Sequence, residues 1–364
     1  MKKLLRVLKV LPVILFLNTS FLFSQTLPEK LDAVTDSLMT ATKIPGMIVS
    51  LVCGDFKWEK AKGFADVYGN VPMTLDKTFR IGSVTKTFTI TTLLQLVDEG
   101  LLKLDDPVNK YFDNIPNGDR ITVRMLAEMT SGLYNYSDTK DFEDSLTNNP
   151  HKRWKNEELL EMAFRYPVYF EPNTDFHYSN TNTILIGMII EKLTGKTIGQ
   201  NITERIINKL GLKNTYVPEN YVIPGDYAHG YNNIEDSITI PYVDVTEMYD
   251  PSWAGAAGDI ISNVNDLKIY IRAMAKNQLY SPQMQAERMK WTPFIPASTG
   301  LKYGLGMFEI EGSYIGHNGG IPGFANVTAY SPVQDCSIIV MYNAKSKLAA
   351  DPLAKRILQI MNGN

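Results

Sequence analysis

An α+β fold is predicted, with one antiparallel sheet built from both ends of the chain, flanked by the terminal helices, and a mainly helical lobe inserted between. Three observations predict it. Strand-like runs cluster near the start and return beyond Gly255, the stretch from Thr87 to about Pro251 reads as helices joined by long polar loops, and amphipathic helical patterns lie at both ends.

Leu27 to Thr42 places Leu31, Val34, Leu38 and Met39 on one helix face. Pro45-Gly46 ends it, and Met47 to Cys53 and Phe56 to Val67 are strand-like runs parted by Gly54-Asp55, a hairpin signal. The alternating lead-in Phe79-Arg80-Ile81 reaches one glycine and then the apolar-periodic run Phe88 to Leu102. In the middle, Thr122 to Met129, Asn156 to Phe164, Thr183 to Leu193 and Ile198 to Leu210 read as helices. Gly304 to Ile310, Tyr314 to His317, Phe324 to Tyr330 and Cys336 to Tyr342 read as strands, and a last helix runs from about Lys347 to Met361. The expected division is a sheet lobe of residues 25–86 and 252–364 and a helical lobe of residues 87–251. With no repeat and no low-complexity linker, the lobes are expected to share a firm interface and a cleft.

The chain has 364 residues, 44% of them hydrophobic, enough for a large core and one or two domains. Residues 1–24 read as an export signal: Lys2, Lys3, Arg6 and Lys9, the apolar stretch Leu11 to Phe23, then Ser24 before Gln25. That stretch is short of the ~20 residues a membrane span needs, so export without a lasting span is expected. Removing it takes away four positive charges and moves the formal net charge from -3 to -7. An acidic chain without basic clusters is a poor nucleic-acid binder. Cys53 and Cys336, the only cysteines, each lie in an apolar strand-like run and fit either one disulfide or two buried thiols; no zinc or thiol-redox spacing exists.

Three short motifs carry chemistry. In Ser83-Val84-Thr85-Lys86 the serine opens a helix, where unpaired N–H groups favour negative charge, and the lysine returns to the same face. Burial of that amine would lower its pKa towards that of a usable base, making a Ser–Lys nucleophile pair. An ordinary N-cap serine fits the same spacing. The spacing also recurs at Ser137-Asp138-Thr139-Lys140, in a polar, turn-rich run with no apolar helix after it. Tyr178-Ser179-Asn180 stands at a loop-to-helix junction, where a phenol can relay protons and an amide can hold a substrate carbonyl; taken alone, a core tyrosine with a helix-capping Asn180 is the plainer reading. Gly316-His317-Asn318-Gly319-Gly320-Ile321-Pro322-Gly323 lies between two strands, and its glycines let a ligand approach free N–H groups, as an oxyanion hole requires. A glycine-rich hairpin with an incidental histidine fits equally. No G-x-S-x-G elbow, H-E-x-x-H, phosphate loop or dinucleotide fingerprint occurs.

S-x-x-K, Y-x-N and H-x-G in this order, with Arg80-Ile81-Gly82-Ser83-Val84-Thr85-Lys86, Ser131-Gly132-Leu133-Tyr134, Tyr178-Ser179-Asn180-Thr181-Asn182 and Ser252-Trp253-Ala254, resemble the penicillin-recognising serine hydrolases. The resemblance spans nearly all of Leu27 to Met361 and is strongest to extracellular D-alanyl-D-alanine carboxypeptidase/transpeptidases. It implies a β-lactamase/transpeptidase-like fold and an acyl-enzyme at Ser83, with Lys86 and Tyr178 sharing the base work, Asn180 orienting the substrate and His317 completing the electrostatic network. It also implies an oxyanion hole from the N–H groups of Ser83 and Gly320, substrate contacts at Asn318, Gly319 and Phe308, and Trp253 lining the cleft. The partners implied are peptidoglycan stem peptides or other small acyl donors and β-lactams, with no cofactor and no metal, and a monomer is expected. Where many relatives have K-T-G this chain has His317-Asn318-Gly319, which fits the carboxypeptidases better than a class C β-lactamase. Where those carboxypeptidases carry a basic residue for the substrate carboxylate this chain has Phe308-Glu309, which leaves an esterase or D-aminopeptidase-like amidase open. A catalytically retired peptide binder is the reading from another class.

Overall fold

The computed structural model describes residues 25–232, 242–345 and 350–363. Helix α1 (Leu27–Thr42) starts where Thr26 and Glu29 form a capping box and ends where Lys43 turns left-handed. It leads into β1 (Gly46–Cys53), β2 (Phe56–Asp66) and the edge strand β3 (Val71–Pro72). The short β4 (Phe79–Arg80) runs into a 3-10 turn, Gly82–Val84, and helix α2 (Thr85–Asp98).

The lobe that follows holds α3 (Val123–Ala127), α4 (Lys140–Asn148), α5 (Asn156–Phe164), α6 (Asn180–Thr194), α7 (Ile198–Ile202) and α8 (Asn208–Leu210). After β5 (Tyr231–Asn232), β6 (Val243–Asp244) and β7 (Ile261–Ser262) come α9 (Val264–Ala275) and α10 (Pro282–Arg288). The chain closes with β8 (Lys302–Tyr303), β9 (Phe308–Ile310), β10 (Tyr314–Ile321), β11 (Phe324–Ser331), β12 (Cys336–Tyr342), β13 (Ala344–Lys345) and α11 (Ala350–Met361).

Eight strands form one sheet in the order β3-β2-β1-β12-β11-β10-β9-β8, antiparallel throughout. The two chain ends meet at β1 and β12, where Met47 pairs with Tyr342 and Cys53 with Cys336, and those two cysteines are joined as a disulfide. Alternation sorts the central strands between two cores. Met47, Val49, Leu51, Val327, Ile338 and Val340 face a core closed by α1 and α11. Ile48, Phe324, Ile339 and Met341 face the larger core, shared with α2, α6 and α9.

The predicted architecture is therefore the observed one, with local differences. Gly304 to Ile310 is not one strand: β8 and β9 are separated by a tight turn in which Gly306 is left-handed and a Cβ would strike Ile90. Thr122 is the N-cap rather than the first residue of its helix, and Met129 turns left-handed beyond the end of α3. The expected Ile198–Leu210 helix is interrupted by a π-helical turn at Thr203–Ile207. The expected helical lobe also contains β5 and β6, which join β13 in a small sheet, and α9 and α10 lie in the stretch assigned to the sheet lobe. The last helix is described from Ala350. The export signal of residues 1–24 lies outside the described residues, among which no helix is long and apolar enough to cross a membrane.

Candidate active site

Strand β4 pairs with β7, and the Ile81 amide donates to the Ile260 carbonyl at 2.9 Å, which anchors the turn carrying Ser83. Strand β10 lies directly on that turn. A Cβ on Gly82, whose φ is +53°, would sit 2.8 Å from the Gly320 nitrogen, and one on Gly319 would sit 2.0 Å from the Ile81 carbonyl oxygen. Only glycine permits this approach, which brings the amides of Ser83 and Gly320 to one place beside a half-buried hydroxyl. The space beside Gly320 is open. An oxyanion hole would need those two N–H groups to meet a carbonyl oxygen as it gains charge.

Lys86 follows on α2, a helix buried on nearly every side, and is itself 0% exposed. Its Nζ lies 3.1 Å from Ser83 Oγ, 2.7 Å from Asn180 Oδ1 and 2.8 Å from the Ala257 carbonyl oxygen. Among the described residues no carboxylate pairs with it. Burial holds its pKa well below the usual lysine value. A neutral amine donates to the amide and carbonyl oxygens and still has a lone pair for the Ser83 proton.

Tyr178 precedes α6, whose N-cap is Ser179. Its ring centroid lies 4.8 Å from Lys86 Nζ, and its buried hydroxyl makes no hydrogen bond of full geometry. Burial pushes the phenol up, while the Ser83 side chain acts in the opposite direction. Asn180 is held from both sides: its Oδ1 accepts from Lys86, its Nδ2 donates to Ser137 Oγ at 3.1 Å, and its backbone N–H donates to Asn135 Oδ1 at 3.0 Å. The structure thus sets the Asn180 side chain on Lys86. The second S-x-x-K serine, Ser137, reaches the site through Asn180, whereas its lysine, Lys140, pairs with Asp144 at the surface.

On β10, His317 faces the site, fully buried. Its Nδ1 meets the Asn318 carbonyl oxygen, which can only accept, so the proton is on Nδ1 and Nε2 is bare. Burial, with Lys86 second, lowers its pKa to about 3, which keeps the ring neutral. The next side chain points the other way: Asn318 Nδ2 donates to Asp351 Oδ1 on α11 at 2.8 Å, behind the sheet. That departs from the expected substrate contact, and the two-residue period of a strand is the reason. Trp253 is half-buried, packs on Phe142 and lines a small cavity with Ile321 and Pro322.

Phe308 closes the site from β9. Its ring centroid lies 6.5 Å from that of Tyr178, 4.6 Å from Tyr303 and 4.8 Å from His317. Tyr303, buried on β8, and Phe176 complete this aromatic wall. Sequence reading passed over Tyr303, because only the turn at Gly304–Met307 folds β8 back onto the site. The single cation on β8 and β9, Lys302, is paired with Glu309 at 2.7 Å.

Fold and chemistry together define a serine hydrolase of the penicillin-binding type. The Beta-lactamase family model matches residues 31–360, and the chain belongs to that family. A penicillin-binding protein of Bacillus subtilis is 28% identical over 313 residues, covering 85% of this chain and 73% of its own. Among solved structures, a D-stereospecific amidohydrolase from a Streptomyces species superposes with a TM-score of 0.80 and 31% identity over 90% of this chain and 97% of its own. A D-amino acid amidase from Ochrobactrum anthropi, solved with D-phenylalanine, gives 0.81 and 28% over 93% and 99%.

Proposed function

We propose that this chain is a D-stereospecific amidohydrolase that cleaves an amide on the carbonyl side of a D-residue and releases an amine without a free carboxylate. Ser83 is the nucleophile, neutral Lys86 with Tyr178 takes its proton, and the amides of Ser83 and Gly320 hold the oxyanion. The observation carrying this reading is the wall around Phe308. Three aromatic rings surround that side chain, and the only cation on its two strands is taken up by Glu309. A leaving group bearing a carboxylate would be desolvated there without a partner. The preference for D-substrates is supported by likeness to the two amidohydrolases.

A second reading is a penicillin-binding D-alanyl-D-alanine carboxypeptidase, supported by the Bacillus relative and by Lys302, half-exposed at the rim of the wall. The test is turnover of D- and L-phenylalaninamide and of a peptide ending in D-alanyl-D-alanine, with intact-mass measurement of benzylpenicillin adducts and Ser83→Ala as control. Turnover of the D-amide above the peptide supports the amidase. Faster peptide cleavage with a persistent penicillin adduct supports the carboxypeptidase, and drug consumption with a transient adduct a β-lactamase. Labelling of Ser83 without any turnover would support a peptide-binding protein instead. Export, read from residues 1–24, belongs to the same proposal and is checked by whether the protein recovered outside the cytoplasm begins near Gln25.

A further inference from the structure

Three rings stand at the corners of a nearly equilateral triangle next to Lys86. The centroids of Tyr178 and Tyr303 are 6.2 Å apart, those of Tyr178 and His317 6.0 Å, and those of Tyr303 and His317 6.1 Å. Among the described residues Tyr303 Oη and His317 Nε2 are buried polar atoms without a hydrogen-bond partner, and Tyr178 Oη, beside the Ser83 side chain, has none of full geometry. Phe308 packs on Tyr303 and His317, with its ring centroid 6.5 Å from that of Tyr178. Buried polar atoms are nearly always hydrogen-bonded, and unpartnered ones on adjoining rings beside the nucleophile point to a ligand group that completes them.

The chemistry of that group follows from the atoms. His317 Nε2 is a bare acceptor and requires an N–H or O–H donor, which excludes a carboxylate. Burial raises the Tyr303 phenol well above its ordinary value, so its hydroxyl stays protonated, able to donate once and accept once. An amine nitrogen, with hydrogens to donate and a lone pair, suits all three.

Resting on the proposed amide hydrolysis, we infer that Tyr303 is a further catalytic residue, receiving the leaving amine together with Tyr178 and His317. In the acylation step the Ser83 oxygen bonds the carbonyl carbon and the carbon–nitrogen bond breaks. The proton lost by Ser83 passes through Lys86 or Tyr178 to the departing nitrogen, leaving a serine ester and a neutral amine. Tyr303 holds that nitrogen while the proton arrives. Its place is secured from behind by Arg288, fully buried, whose carbonyl accepts from the Leu305 N–H at 3.0 Å and whose Nη2 donates to the Thr87 carbonyl at 3.2 Å, one residue past Lys86.

Tyr303→Phe keeps the ring and removes only the hydroxyl. Its turnover of D-phenylalaninamide, whose nitrogen must be protonated to leave, is compared with that of D-phenylalanine p-nitrophenyl ester, whose leaving group departs as an anion. The amide-to-ester ratio of kcat/KM is expected to fall about tenfold, the scale of one lost hydrogen bond in a transition state. The melting temperature is expected to hold or rise, since an unpartnered buried hydroxyl is gone. An unchanged ratio with both rates retained would overturn the inference, as would a lowered melting temperature with both rates falling together. A wild-type protein that turns over neither substrate would remove the amidase reading and this inference with it.

Discussion

Lys86 Nζ lies 3.1 Å from Ser83 Oγ at the centre of a site where no carboxylate among the described residues neutralises it. Burial without a counter-charge favours the neutral amine, and a stable ammonium could not take the Ser83 proton. Lys86→Met should lower the acylation rate by about a thousandfold, within the range of general-base contributions, without lowering the melting temperature at pH 7. Stopped-time mass spectrometry of the Ser83 adduct measures the first and calorimetry the second. Acylation at the wild-type rate would remove Lys86 from the mechanism.

Asn180 Oδ1 is the acceptor nearest to that amine, at 2.7 Å. Asn180→Asp replaces a neutral oxygen by a charged one and favours the ammonium, so the Lys86 pKa rises. The acid limb of kcat/KM against pH should therefore move to higher pH. Each unit of that shift costs about tenfold in rate on the acid side and is recovered at high pH. An acid limb that stays in place would mean that Lys86 is not the titrating base.

His317 is neutral in the fold because its pKa is lowered from 6.5 to about 3. A cation-forming group with a depressed folded pKa favours the unfolded chain wherever only that chain is protonated. The histidine is without effect above pH 6.5, and stability is lost as pH falls from 6.5 towards 3. Urea unfolding from pH 7.5 to 4.5 should show wild type losing ground to His317→Gln. A constant difference between them would contradict the burial argument.

Asp259 lies two residues beyond the Ala257 carbonyl that holds Lys86, and burial raises its carboxyl to about 8 against the attraction of Arg80. A raised carboxyl has no unfavourable effect below its ordinary 3.8 and destabilises progressively as pH rises from there to about 8. Asp259→Asn should gain melting temperature relative to wild type between pH 5 and pH 8. If the gain shrinks with pH, the carboxyl is ionised in the fold and paired with Arg80.

Phe308→Arg places a guanidinium within the wall of rings. It should raise kcat/KM for peptides ending in a free carboxylate by about tenfold, the scale of one charge-assisted hydrogen bond. Unchanged values would place carboxylate recognition elsewhere.

By itself the sequence determined the motifs and most of the long elements. The amphipathic face of α1, the Gly54-Asp55 hairpin, the apolar periodicity of α2 and the runs of β1, β2, β11 and β12 depend on residues close along the chain, and each appears where its pattern lies. Ser83 and Lys86 share one helical turn, so their meeting was legible too. Even the turning away of Asn318 was available from the two-residue period of β10, although the resemblance pointed it at the substrate. Only the tertiary structure decided which distant groups converge. Asn180 is drawn to Lys86 by the packing of α6 on α2, and Tyr303 meets Tyr178 and His317 because a turn at Gly306 returns β8 along β9. The reason is physical: side-chain direction follows local backbone geometry, whereas the pairing of strands and the docking of helices are set by burial of whole faces, information spread over the entire chain.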